Sequence, residues 1–339
     1  MNLVSALLSG IAALFLATAA VAQSDTSKDA SKAIDGIVIV GAGGTEEFGV
    51  QFDDWADRWM GTATDAKLAF TRIGSADSGS GSGSETKHRE VLQELLKSQQ
   101  GLETPRPFWL VLIGHGTWDG NVANFNLAGK DISAKTLAMW LRWIERPLCI
   151  INCSSSSGPF IDRLSGPNRV VVTATKSGNE QNFARFGGAI ATAIRAADGD
   201  LDHDDAISVR EAFIKATDEI ERQYKTESRI LTEHALLDDN GDKRGSDASL
   251  VRLRSSPLEP GTVDGSLAAR VSIPIGDNGL RLNDEALAER DRLEAELRGL
   301  KQQELETDEL RKRSLPILKK LATLYRKAAN PDSPESDDS

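Results

Sequence analysis

A chain of 339 residues with 40% hydrophobic and 27% charged side chains is long enough for one sizeable core plus an appendage. Its 51 acidic against 40 basic residues leave a net charge of -11. Holding nucleic acid requires a cationic surface facing the phosphates, so that class of function is excluded.

Residues 3–19 form an apolar stretch of secretory character, followed by Ala20-Val21-Ala22, a small-residue cleavage pattern, and then by polar Ser, Asp and Lys residues. The reading is a signal peptide over 1–22, cleaved before Gln23, a polar linker over 23–33, and an exported mature protein in the periplasm or outside the cell. The apolar stretch has no Lys or Arg before it, which keeps an uncleaved amino-terminal anchor as the alternative. No later run approaches membrane-spanning length, so no membrane association is expected after cleavage.

Short apolar strands are expected at 35–40, 67–73, 108–113, 148–152 and 169–174. Helical periodicity falls between them. Val91, Leu92, Leu95 and Leu96 mark one face of a helix over 85–99 behind a Ser84 cap, and Leu137, Met139, Trp140 and Leu141 repeat the pattern over 133–144. Alternation of this kind predicts an α/β fold with a mainly parallel sheet sandwiched by helices. The Gly41-Ala-Gly-Gly44 turn invites a dinucleotide reading. Glu46 stands where the third glycine belongs, and the second strand ends in Ile73-Gly74 without a ribose-binding acid, so a tight strand-end turn is preferred. The Gly/Ser-rich segment 74–84 reads as a flexible loop, an insertion or a groove border.

Two strand ends carry the chemistry. The run Phe108-Trp-Leu-Val-Leu-Ile-Gly-His115-Gly116 stops on an imidazole and a glycine, and Leu148-Cys-Ile-Ile-Asn-Cys153 stops on a thiol before four serines and Gly158. Loops beyond the carboxyl ends of parallel strands form the ligand crevice, so His115 and Cys153 can meet although distant in sequence. Gly116, lacking a Cβ, suits an oxyanion donor. Cys149 and Cys153 would lie about 13 Å apart in an extended strand, too far to bridge, and both being inert core thiols is the alternative to a nucleophile at Cys153. Of the other histidines, His88 lies on a helix, His203 in an acidic loop and His234 in Glu233–Asp242, so only His115 ends an apolar strand.

These motifs, with Val170-Val-Val-Thr-Ala-Thr-Lys176 after them, resemble the caspase and legumain clan of cysteine peptidases, especially its legumain-like (hemoglobinase) branch, over roughly 34–242. The resemblance implies a caspase-like sheet, an exported peptidase acting on peptide or protein substrates, and chemistry that requires no cofactor. Carried over by position, it makes His115 the catalytic histidine, Gly116 an oxyanion donor and Cys153 the nucleophile, with Thr175, Lys176, Ser177 and Glu180 lining the substrate pocket. Three serines separate Cys153 from Ser157-Gly158, where the branch has one residue. Aligning on Ser157-Gly158 instead puts Ser155 at the nucleophile position and implies a catalytically inactive scaffold that binds proteins.

Asp200, Asp202, Asp204, Ser208 and Glu211 follow the spacing of a calcium loop, Ile207 fits its eighth position, and Asp205 replaces the usual glycine at the sixth. The alternative is a solvated acidic helix cap before Ser208. The cluster Asp238–Asp242 reads as a turn. Residues 34–255 are expected to form the main domain, 256–282 a linker or arm with an extra strand near 267–275, and 283–329 one long amphipathic, coiled-coil-like helix interrupted at Pro316. That helix is expected to pack back, self-associate or hold a partner. Residues 330–339 are expected to be disordered.

Overall fold

The computed structural model describes residues 33–74, 87–252, 264–276, 282–301, 303 and 305–329. In chain order, β1 (Gly36–Val40), α1 (Glu46–Asp65), β2 (Phe70–Ile73), α2 (His88–Ser98) and β3 (Phe108–Ile113) come first. A small antiparallel sheet follows, β4 (Gly116–Trp118), β5 (Ala123–Phe125) and β6 (Ile132–Ser133), then α3 (Ala134–Leu141), β7 (Leu148–Asn152), α4 (Ile161–Leu164) and β8 (Arg169–Thr173). Next are α5 (Phe186–Ala193), β9 (Ala206–Ser208), α6 (Val209–Thr226), β10 (Leu236–Asp238), α7 (Ala248–Arg252), β11 (Ser272–Pro274), α8 (Asp284–Lys301) and α9 (Thr307–Ala329). The expected signal peptide, nearly all of the Gly/Ser loop with its Ser84 cap, and the tail lie outside the described residues.

The central sheet has the order β10-β8-β7-β3-β1-β2, with β10 antiparallel to β8 and the other pairs parallel. Its inner strands are apolar on both sides because both sides are covered. Odd-numbered residues of β3 and β7, from Trp109 to Ile113 and from Cys149 to Ile151, pack with α1, α5 and α6. Even-numbered ones, such as Leu110 and Ile150, pack with α2, α3, α4 and β5. The molecule is thus a mixed α/β sandwich with a mainly parallel sheet and two carboxyl-terminal helices.

Several boundaries and faces differ from expectation. Ser133 caps α3 through the Thr136 N–H, but Met139 and Val91 are exposed and take no part in the apolar faces. The segment expected as a linker or arm is part of the core over 264–276: β11 pairs with β9, and Ala268, Val271 and Ile273 are buried. The single helix expected over 283–329 is two helices, α8 and α9, which pack on each other through Leu293, Ile317 and Leu321. The break precedes Thr307, and Pro316 sits exposed within α9.

The Asp238–Asp242 segment does more than turn. The Asp239 carboxylate accepts from the Gly265, Leu267 and Ala268 N–H groups at 2.7–2.9 Å. Reciprocally, the Asp264 carboxylate accepts from the Asp239 and Asn240 N–H groups and from Ser246 Oγ. Burial pushes the Asp264 carboxyl up from 3.8 to about 7, with Asp239 and Asp238 nearby adding to the rise. Between those values the folded chain keeps a proton that the unfolded chain releases, so stability is lost as pH rises from about 4 through about 7. Asp264→Asn is expected to flatten this part of the stability–pH curve in urea unfolding; an unchanged slope would contradict the assignment.

Candidate functional site

Parallel pairing of β3 with β7 brings the two strand ends together, with Leu112 opposite Asn152 and the Cys153 N–H donating to Leu112 O at 2.9 Å. His115 follows β3 by two residues. Its Nε2 lies 3.1 Å from Gly43 O. A carbonyl only accepts, so Nε2 carries the proton in this bond and Nδ1 alone is left to take another. The half-buried ring meets Phe48, Phe52 and Phe183 at centroid distances of 5.1, 5.0 and 6.1 Å, the first two near edge-on.

Cys153 continues the alternation of Cys149 and Ile151 and therefore faces the same helical layer as the imidazole. It is 1% exposed. A Cβ on Gly187 of α5 would lie 3.0 Å from Cys153 Cβ and 2.5 Å from the Trp55 ring, so the absence of a side chain at Gly187 lets α5 close over the sulfur. Burial pushes the Cys153 thiol far above its ordinary value, and Cys149 likewise. Both cysteines are free.

The residue that adjoins Gly116 is Ser154, which sequence reasoning passed over. A Cβ on Gly116 would lie 2.8 Å from Ser154 Oγ and would collide with Ser155 O. Ser154 is fully buried, and its hydroxyl donates to Asn152 Oδ1 at 2.7 Å while its N–H donates to the same oxygen at 3.0 Å. Ser155, the alternative nucleophile position, is 4% exposed and turns its carbonyl toward Gly116. Strand parity could place Cys153 on the buried face, but the turn that brings Ser154 to Gly116, with Ser156 at φ 54°, had no signal in the sequence.

The expected pocket residues instead close the serine turn. Thr175 is buried, with Oγ1 3.2 Å from Ser157 Oγ and accepting from the Gly158 N–H at 3.1 Å. A Cβ on Gly158 would lie 2.5 Å from Ser177 N, so the Ser157-Gly158 pair serves close packing of the two loops. Glu180 O accepts from the Ser156 N–H, while the Glu180 carboxylate binds the Lys176 N–H at 2.9 Å and His234 Nδ1 at 2.5 Å. Lys176 alone among the four is exposed.

In the acidic loop the carboxylates of Asp200, Asp202 and Asp204 come within 4.8 Å of one another. Asp205 adopts φ 59°, the left-handed conformation for which the motif uses glycine. Ser208 and Glu211 do not join the three aspartates. They form a capping box at the start of α6, and Glu211 also accepts from the Leu201 N–H at 2.8 Å. The loop thus holds an aspartate cluster and a helix cap side by side. Burial, with Asp202 and Asp200 adjacent, raises the Asp204 carboxyl to about 6.

No family model matches the chain, and no curated protein matches it. Among solved structures it is similar to the Drosophila initiator caspase Dronc, at 11% identity over 62% of this chain and 81% of that one, with a TM-score of 0.40. The likeness concerns the chain path and transfers no residue role. Among the described residues, no helix is long and apolar enough to cross a membrane.

The close approach at Gly116 has a measurable consequence. Gly116→Ala is expected to destabilise the fold by about 1–3 kcal/mol, as overpacked sites do. Urea unfolding checks it, and an unchanged midpoint would mean that the Ser154–Ser155 peptide is not held against β4.

Proposed function

We propose that this chain is a degenerate relative of the caspase and legumain clan, a protein-binding scaffold whose strand-end thiol has been absorbed into the core. The observation that carries this reading is the burial of Cys153 beneath Gly187 and Trp55. Cysteine hydrolases attack as thiolates, and burial without a cation disfavours that form. Serine attack needs a base coupled to the hydroxyl, whereas Ser154 Oγ donates to Asn152 and His115 Nε2 is held by Gly43 O. The reading includes export through residues 1–22.

What the fold leaves open is a groove of about 970 Å³ between α1, α5 and α6, beside the rings that clasp His115. Phe48, Trp55 and Phe183 give it an aromatic floor, and Gly188 and Ala189 keep that floor low. Its rim charges are largely satisfied internally, Arg185 by Glu227, Lys215 by Asp198 and Arg222 by Glu219. Such a groove selects an apolar segment of a protein partner, with an aromatic or branched side chain, over a charged ligand.

A peptide bearing a thiol-reactive electrophile tests the reading. Native protein is expected to resist labelling at both cysteines, and urea-unfolded protein to react at both. Stoichiometric native labelling of Cys153, lost in His115→Ala, would instead support an exported cysteine peptidase with a Cys-His dyad.

The aspartate cluster supports a second element of the proposal, calcium stabilisation. Three hard oxygen donors on one loop suit calcium, and the cation would offset the burial and the lesser repulsion from Asp202 and Asp200 that raise the Asp204 carboxyl. Asp200, Asp202 and Asp204 would hold it, supplying structural stability and no chemistry. Calcium at 100 times its dissociation constant is expected to add about 2.7 kcal/mol to the unfolding free energy. Thermal melts should show the gain in the unmodified protein and not in a variant with Asp202→Asn and Asp204→Asn. An equal gain in both would place the ion elsewhere.

A further inference from the structure

The second face of α9 is not used by the fold. Its inner face buries Ser314, Ile317 and Leu321, the last two packed with Leu293 of α8. Beside that face Arg311, Leu315, Leu318, Lys319, Ala322 and Arg326 are all exposed. At 3.6 residues per turn these six fall within an arc of about 100°. Leu315 and Leu318 are 52% and 47% exposed, so apolar and cationic groups share one strip. Of the two acidic residues of α9, Glu309 lies off the strip and is paired with Arg313 at 2.6 Å, while Asp308 stands at the strip's amino-terminal end, one turn before Arg311, so the strip itself carries three cations against one carboxylate.

The charge is concentrated there against the trend of the chain. α9 carries seven Lys and Arg against two Asp and Glu, within a protein of net charge -11. A strip with leucines at its centre and cations beside them calls for an occupant that is anionic at its surface and apolar just beneath.

We propose that the outer arc of α9 docks onto an anionic phospholipid surface. Leucines would enter the headgroup boundary while Arg311, Lys319 and Arg326 meet phosphates on either side of them. A straight helix lying flat can present the whole length of this arc to a plane of headgroups. The groove between α1, α5 and α6 has rim charges largely paired internally, Arg185 with Glu227, Lys215 with Asp198 and Arg222 with Glu219, so it is a poor anionic complement for this strip in a second copy. Such contact is peripheral, in keeping with the lack of any spanning helix among the described residues.

Vesicle flotation with the full chain tests the inference, using vesicles rich in phosphatidylglycerol and vesicles of phosphatidylcholine alone. The expected result is capture by the anionic vesicles in excess of capture by the neutral ones, the excess weakened at least ~10-fold in Arg311→Glu/Lys319→Glu and in Leu315→Ser/Leu318→Ser. All proteins compared carry residues 1–22, so the difference between them reads the arc alone. Circular dichroism of the variants should match the parent, because the changed side chains are exposed. Equal capture by both vesicle types, or capture unchanged in both variants, would overturn the proposal. So would a dimer in sedimentation that the variants dissolve while vesicle capture is absent, which would make the strip a protein interface.

Discussion

The carboxyl edge of the sheet is governed by how closely two backbones approach where β3 and β7 end. Gly116 lies against the Ser154–Ser155 peptide, and Gly187 lies against Cys153. Neither approach tolerates a Cβ. Together they close the end of the sheet and leave Cys153 without solvent. A thiol in that setting behaves as a small hydrophobe, and its neighbours are the side chains expected of a core.

The polar groups around it are occupied in a consistent way. Asn152 holds the Ser154 hydroxyl and N–H, Thr175 ties Ser157 to Gly158, and Glu180 joins its own loop to His234. The first holds the serine turn on its own strand end, and the other two tie neighbouring loops together. Buried polar groups gain most when fully partnered, so this network favours one closed arrangement. The imidazole packs as an aromatic ring, clasped edge-on by Phe48 and Phe52.

Much of the fold was legible because its strands are long apolar runs. β1, β3, β7 and β8 stand where continuous Val, Ile and Leu place them, and α3 falls within the helix expected over 133–144. β10 has three residues in an acidic neighbourhood, too few for periodicity to register. The break between α8 and α9 was misplaced at Pro316 because an exposed proline can remain in a helix that tertiary packing supports. The true break is a property of the pairing between the two helices. At the site, identity was easier to read than direction. His115 and Gly116 were legible at the end of an apolar strand. That Cys153 points into the helical layer follows from the parity it shares with Cys149, whereas Ser154 beside Gly116 depends on a turn with positive φ at Ser156. The Asp239–Asp264 latch joins residues 25 apart and had no local signature.

The central claim is that the Cys153 sulfur is a core atom and not a nucleophile. Its most direct measurement is an NMR titration of the Cys153 Cβ resonance in a Cys149→Ala background, from neutral pH to the onset of unfolding. The account predicts no deprotonation step while the protein stays folded. A midpoint at or below about 8.5, the value of a free thiol, that shifts when His115 is replaced by Ala would contradict it.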